Sequence, residues 1–188
     1  ALWSQNQYTV IFDTKGGNSS PRQVLNHNDL IQSVSDPVKT GYDFVGWDYD
    51  FNTPITENIL VTAEWVVQQY MVEFDAGEEN KNIETCVQIW NVLTELGADR
   101  KSLVINLGGG VVTDLGGFVA STFKRGVDFI HIPTTLLSMV DASVGGKNGV
   151  DLGNLKNQIG VINVPMMVLI DTQYLQTVPQ NEMRSGLA

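Results

Sequence analysis

Three glycines, Gly108–Gly110, separate the apolar run "KSLVINL" from "VVTDLGGFVASTF", a stretch that fits a helix. Strand, glycine turn and helix, in that order, make the arrangement that cradles a pyrophosphate. Glycines let the backbone turn tightly and approach a ligand, and the helix N-terminus offers unpaired N–H groups and a favourable dipole. A triple glycine alone is weak evidence, because glycine turns after strands are common. Later residues add to it. Thr134 and Thr135 follow a second apolar run, "VDFIHIP", at an expected helix start, where hydroxyls can hydrogen-bond a nucleotide. Asp141 and Ser143 come next, then Gly145-Gly146-Lys147, and "GNLKNQIG" brings Lys156 and Asn157. A lysine after paired glycines can reach a phosphate as a point charge.

The elements that must position these groups read as α/β from Gly77 onward. Ile83, Cys86, Val87, Trp90 and Leu93 recur at helical spacing. That spacing makes Cys86 a core residue rather than a nucleophile, and as the single cysteine it can form no internal disulfide. Buried strands are expected at 101–107, 127–133 and 166–171. His131 alternates within the second strand and reads as structural. The net charge of −10 divides evenly: residues 1–70 carry 3 basic and 8 acidic side chains, residues 71–188 carry 8 and 13. Neither half favours nucleic acid or an anionic membrane as a partner. No apolar run is long enough to span a bilayer and no signal peptide is visible. The chain opens on Ala1, which fits a processed or missing N-terminus.

The first third has a different pattern. "ALWSQNQYTVIFD" (1–13) and "AEWVVQQYMVEFD" (63–75) share seven of thirteen residues at an offset of 62. Self-similarity of this kind marks a tandem array. Ala1-Leu2-Trp3 reads as the tail of an earlier unit, and the second copy stops after Asp75. The unit is β in character. "YTVIFD" alternates, "KGGNSSP" is a turn cluster, and Ile59, Val61, Ala63 and Trp65 share one face of a closing strand. Tyr42, Phe44 and Trp47 are expected in a small aromatic core. His27, in "LNHNDL", reads as solvated.

Residues 8–65, with "YTVIFDTKGG", "GYDFVGW" and "ITENILVTAEW", resemble the Listeria–Bacteroides (internalin B-type) repeat. That resemblance implies a small β-grasp-like module used as a spacer or adhesive stalk outside the cell, with no catalytic residues. Residues 77–188 resemble 3-dehydroquinate synthase through "GEENK", "LGGGVVTDLGGFVAST", "KRGVDFIHIPTTLLSMVDASVGGK", "LKNQIG" and "MRSGLA". The implied fold is a partial Rossmann-like dinucleotide-binding domain. The implied organisation is a preceding tail at 1–7, the repeat at 8–69, a junction at 70–76 and the truncated domain at 77–188.

The second resemblance also implies chemistry. Its family binds NAD, transiently oxidises a hydroxyl of a heptulosonate phosphate, eliminates phosphate, reduces the carbonyl again and closes a carbocycle. Glu78 and Lys81 would contact NAD. Gly109, Gly110, Val111 and Asp114 would hold its pyrophosphate and nicotinamide side, and Thr134, Thr135, Lys147, Lys156 and Thr177 would complete the cofactor site. Asp141, Lys147 and Asn157 would face the phosphorylated sugar acid. Arg125 would reach across a homodimer interface. Two departures stand out: Ala76 where many members have Asp, and Asn148 where Thr is usual.

The resemblance further implies a divalent metal, zinc or cobalt. Its ligands are a glutamate directly after a "SGLA"-type string and two histidines in a C-terminal helical domain. Here "SGLA" is 185–188. These ligands are therefore expected to be absent and the chain inactive alone. "VEFDAG" (72–77) suits both patterns, as a first repeat strand or a strand leading into "GEENK". The two halves accordingly read as a chimera joined where they look alike. The synthase part belongs in the cytoplasm and the repeat at the cell surface. Two other readings are kept: a surface repeat protein with an incidental fused segment, and an NAD-binding regulator built from the fragment.

Overall fold

The computed structural model describes residues 6–75 and 77–187, so Ala1-Leu2-Trp3, Ala76 and Ala188 lie outside the described residues. The chain divides into two compact units, Ala1–Tyr70 and Met71–Ala188.

The first unit is one mixed sheet of four strands, β1 (Gln7–Asp13), β2 (Gln23–Asn26), β3 (Tyr42–Trp47) and β4 (Ile59–Val67), in the order β2-β1-β4-β3. The central pair is parallel, with Val10 opposite Ile59, and both outer pairs are antiparallel. This is the β-grasp order. Period-2 alternation decides which face is buried. Val10, Phe12, Leu25, Val61 and Ala63 are buried, whereas Ile11 and Leu60 are exposed. Ile31 and Ile55, from the connecting segments, close the other side of this core. Of the expected aromatic cluster Phe44 and Trp47 come together, whereas the Tyr42 ring lies under Lys39 Nζ at 3.9 Å instead. Phe44 meets Trp47 and Trp65 edge-on, and Phe12 meets Trp47. Trp65 Nε1 donates to the Thr14 carbonyl at 3.0 Å. His27 is exposed, with its ring 5.9 Å from that of Tyr8.

In the second unit α1 (Ile83–Glu95) precedes β5 (Leu103–Gly108), α2 (Gly110–Thr122) and β6 (Asp128–Pro133). Next come a hairpin, β7 (Lys147–Leu152) and β8 (Leu155–Ile162), a two-residue strand β9 (Met167–Val168) and a short α3 (Gln180–Ser185). β5, β6 and β9 form a parallel sheet in that order. α2 packs against β5, β6 and β7, burying Leu115, Phe118, Val119 and Ala120. Asn82 caps α1 by accepting from the Thr85 N–H at 2.9 Å.

Five expectations need correction. The strand expected to be buried at 101–107 is open on one face, with Leu103, Ile105 and Leu107 exposed. Residues 72–75 form no strand: their burial alternates, but no neighbouring strand pairs with them. The strand expected at 166–171 is reduced to Met167–Val168, the only residues there that pair with β6. Val87 is 46% exposed, and Ile89 packs in the core beside Cys86 instead. After Thr134 and Thr135 the chain enters a π-helical turn, Ser138–Ala142, rather than a regular helix.

Cys86 and His131 are structural. Cys86 is fully buried and desolvation pushes its thiol up to about 12. It should resist maleimide in the native chain and react only on unfolding, a contrast that mass spectrometry would read directly. His131 is 1% exposed, and Asn106 Nδ2 donates to its Nδ1 at 3.3 Å. Burial pushes its pKa down, against a hydrogen bond donated by the ring to the Asn148 side chain that pushes it up. The unfolded chain therefore binds the proton more readily than the folded one. Stability is full above the ordinary histidine value of about 6.5 and is lost as pH falls towards the lower folded value. A His131→Gln variant should show a flatter loss of urea midpoint over that window than the parent chain.

Candidate functional site

The glycine turn is built by packing as well as by freedom of φ. β5 ends at Gly108, whose carbonyl accepts from the Thr134 N–H at 2.9 Å, tying the two strand ends together. Gly109 precedes α2 with no side-chain cap, and Thr135 lies 3.2 Å from where a Gly109 Cβ would sit. The first N–H groups of α2, at Gly110 and Val111, thus start an uncapped helix, with the Asp114 side chain one turn further along.

Two cavities open in this unit. One, of about 430 Å³, is lined by Glu78, Lys81, Asp151, Asn154 and Lys156 among others. The other, of about 520 Å³, is lined by Asp114, Asp141, Lys147, Asn157 and Gln158 among others. Lys81 joins them. Its side chain is buried, and Nζ lies 2.6 Å from Asp114 Oδ2 and 2.7 Å from Asn157 Oδ1. Burial pushes the Asp114 carboxyl above its ordinary value; Lys81 opposes that shift, while Glu78 and Asp141 reinforce it. At the open side Lys156 Nζ meets Glu78 Oε1 at 2.9 Å, a pairing that raises the lysine's pKa.

The expected residues therefore fall into groups. Glu78, Lys81 and Lys156 surround the first cavity. Asp114, Asp141, Lys147 and Asn157 surround the second. Gly110 borders the second through Ala142, 3.7 Å from its would-be Cβ. Thr134 and Thr135 sit beside the glycine turn, Thr135 Oγ1 sharing a 2.9 Å hydrogen bond with Ser138 Oγ. Two residues are not brought in. Thr177 ends a separate 3-10 segment, donating to the Tyr174 carbonyl, and lines neither cavity. Arg125 lies beyond the far end of α2, about 20 Å along the helix from Gly110.

The sequence reading missed Asp151 and Gln158. Asp151 Oδ1 accepts from the Asn157 N–H at 2.7 Å, and Asp151 N donates to the Lys81 carbonyl at 2.8 Å. The turn string "VDLGN" was the available signal for it. Asn148, the departure from the usual threonine, is buried, and its Nδ2 donates to the Asn163 carbonyl at 2.7 Å.

The second cavity offers one ammonium group, Lys147, the side-chain amides of Asn157 and Gln158, and the carboxylates of Asp114 and Asp141, a mixed donor and acceptor set that fits a polar, phosphate-bearing ligand. It does not fit a metal. Among the described residues no group of three His, Cys, Asp or Glu side chains comes together to hold one. Nor, among the described residues, is any helix long and apolar enough to cross a membrane.

Comparison with known proteins agrees with this division. Residues 8–64 match the Listeria-Bacteroides repeat domain, and residues 71–185 match the 3-dehydroquinate synthase N-terminal family. The 3-dehydroquinate synthase of Prochlorococcus marinus (strain SARG) is 54% identical over 177 residues, covering 90% of this chain and 48% of that protein. That of Rhodopirellula baltica is 50% identical over 117 residues, covering 62% and 31%. The chain thus spans about half or less of the length of these relatives. In structure it resembles a 2-epi-5-epi-valiolone synthase from Streptomyces hygroscopicus subsp. jinggangensis with NAD+ and Zn2+ bound. That match has 33% identity and a TM-score of 0.59, over 70% of this chain and 34% of the other. It also resembles a 2-deoxy-scyllo-inosose synthase complexed with carbaglucose-6-phosphate, NAD+ and Co2+ (28% identity, TM-score 0.58, over 70% and 33%). With a glycine turn and a buried lysine in the matching segment, the chain belongs to the 3-dehydroquinate synthase family through its second unit.

Proposed function

We propose that residues 77–188 are the NAD-binding portion of a 3-dehydroquinate synthase. The observation that carries this reading is the convergence of Lys81, Asp114 and Asn157 beside the uncapped start of α2. In this reading Gly109, Gly110 and Val111 receive the pyrophosphate on their N–H groups. Asp114 accepts a hydrogen bond from the nicotinamide side, and Glu78 and Lys156 face the ribose end. Thr134 and Thr135, beside the glycine turn, complete the cofactor site. Bound NAD supplies a hydride acceptor that later returns the hydride. Lys147 neutralises a substrate phosphate, Asn157 donates its NH2 to an oxygen where cofactor and substrate meet, and Asp141 orients a hydroxyl. Arg125, remote within one chain, belongs to the neighbouring site of a homodimer. In the whole enzyme these residues serve phosphate elimination and ring closure of a heptulosonate phosphate in the cytoplasm.

Titration calorimetry of NAD into the full chain tests the reading. Saturable binding is expected, weakened about tenfold or more in Asp114→Ala, as loss of a hydrogen bond to a charged group requires. A folded chain that takes up no NAD at millimolar concentration would sink it.

A second reading concerns the first unit. Its self-contained core and its match to the repeat family support a spacer or adhesive module of a surface protein. A single long sequencing read through codons 70–77 distinguishes a natural fusion from a chimera: reads that never cross that junction support the chimera, and reads that cross it reject it.

A further inference from the structure

Lys81 is unusual for its type. It is 4% exposed, although the string "EENK" that carries it is otherwise hydrophilic. Its main chain is fixed at both ends, the N–H donating to the Glu78 carbonyl at 3.1 Å and the carbonyl accepting from Asp151 N. Its ammonium can only donate. The Asn157 amide therefore has one bonded orientation, with Oδ1 towards Lys81 and the NH2 group left for the cavity. The Asn157 backbone is held as well, at φ +52, with its N–H on Asp151 Oδ1. Asp114 gives Oδ2 to Lys81, and Oδ1 is its second acceptor.

We infer that Lys81 is a positioning residue, which fixes Asn157 as an NH2 donor and Asp114 as an acceptor towards one ligand. The complementary ligand carries an oxygen acceptor, such as a phosphate or carbonyl oxygen, against Asn157. It carries an N–H or O–H donor against Asp114. This assignment rests on the NAD-binding reading above and replaces direct cofactor contact by the Lys81 side chain with action through its two partners. The charges facing Asp114 sharpen it. Lys81 favours the carboxylate, whereas Glu78, Asp141 and burial all oppose it. Without Lys81 only the opposing influences remain.

The test is Lys81→Met in the full chain, followed by NMR and by NAD titration. The Asp114 carboxyl should titrate about one pH unit or more higher than in the parent chain. The Asn157 side-chain NH2 should become as mobile as that of exposed Asn154. NAD affinity should fall about tenfold near pH 6 and less near pH 8, because the weakened carboxylate is restored at higher pH. Lys81→Arg, which keeps the charge, should recover part of the affinity. An unmoved Asp114 midpoint, an Asn157 amide that stays rigid, or an affinity loss equal at all pH values would overturn the inference. If the parent chain binds no NAD, the cofactor reading fails while the two NMR readouts still judge Lys81. If Lys81→Met does not fold, the parent chain decides: an Asn157 amide more rigid than that of Asn154 supports the positioning role, and equal mobility rejects it.

Discussion

Gly117→Ala is expected to cost about 3 kcal/mol and to lower the melting temperature of the second unit clearly. On an exposed helix the same substitution would stabilise by up to about 1 kcal/mol, so the sign alone is diagnostic. The difference comes from what lies against α2. A Cβ on Gly117 would collide with Asn148 Oδ1 of β7, and one on Gly116 with Asn106 Oδ1 of β5. Neither asparagine can swing aside cheaply. Asn148 donates to the Asn163 and Gly146 carbonyls, and Asn106 holds buried His131. Moving either leaves a buried polar group unpaired. Gly116 and Gly117 are thus the surface on which two polar side chains rest, in the middle of the best-buried helix of the unit. Thermal melts with the Trp90 indole N–H as reporter, bonded to the Val119 carbonyl at 3.3 Å, would measure the loss. Asn148→Ala in the same chain should restore part of it. Gly145→Ala, with nothing within 4 Å of its Cβ, should stay within about 0.5 kcal/mol of the parent. A Gly117→Ala chain as stable as the Gly145→Ala chain would show that the close packing of α2 on β7 is not a constraint.

The same glycine pair shows what the sequence made legible. "DLGGFVAST" is apolar enough to read as a buried helix, and strand, glycine turn and helix followed in the expected order. The β-grasp sheet was readable too, because Val10, Phe12, Val61 and Ala63 alternate cleanly with exposed neighbours. What escaped were features created by partners distant in sequence. The β7–β8 hairpin is rich in Gly, Asn and Lys, and its Gly149 and Gly160 face each other where no side chain fits, so its apolar alternation is diluted. The π-helical turn at Ser138–Ala142 leaves no periodic signal. Lys81 reads as a solvated charge until the fold supplies acceptors from α2 and β8. Residues 72–75 fail in the opposite sense: they alternate as a strand does, but alternation specifies a face and not a partner. The grouping of Asp114, Asp141, Lys147 and Asn157 came from motif resemblance, and no spacing rule would have joined them.

Ile55→Ala is the second large effect expected, and it acts on the other unit. Ile55 lies in "NTPITEN", a string that punctuates like a turn, yet its side chain is 0% exposed. Its backbone explains how. The Ile55 N–H donates to the Asp29 carbonyl at 2.9 Å and its carbonyl accepts from Asn28 N at 2.8 Å, so one connecting segment is stitched to another across the buried face of the sheet. Ile55 and Ile31 together cover Val10, Phe12 and Val61 there. Truncation removes apolar contact and leaves a cavity that these segments, held by their main-chain bonds, cannot easily close. The cost for such a site is about 2–5 kcal/mol. A domain of this size has about 4–10 kcal/mol in total. The unit should therefore lose most of its margin, with a clear drop in urea midpoint. The core clusters of the two units share no residue, so the loss should be confined to one of them. The Trp65 indole N–H, bonded to Thr14, should lose its dispersed resonance at lower urea than in the parent chain, while the Trp90 resonance keeps its midpoint. If both resonances shift together, the two units fold as one cooperative body and the independence argued from their separate cores is wrong.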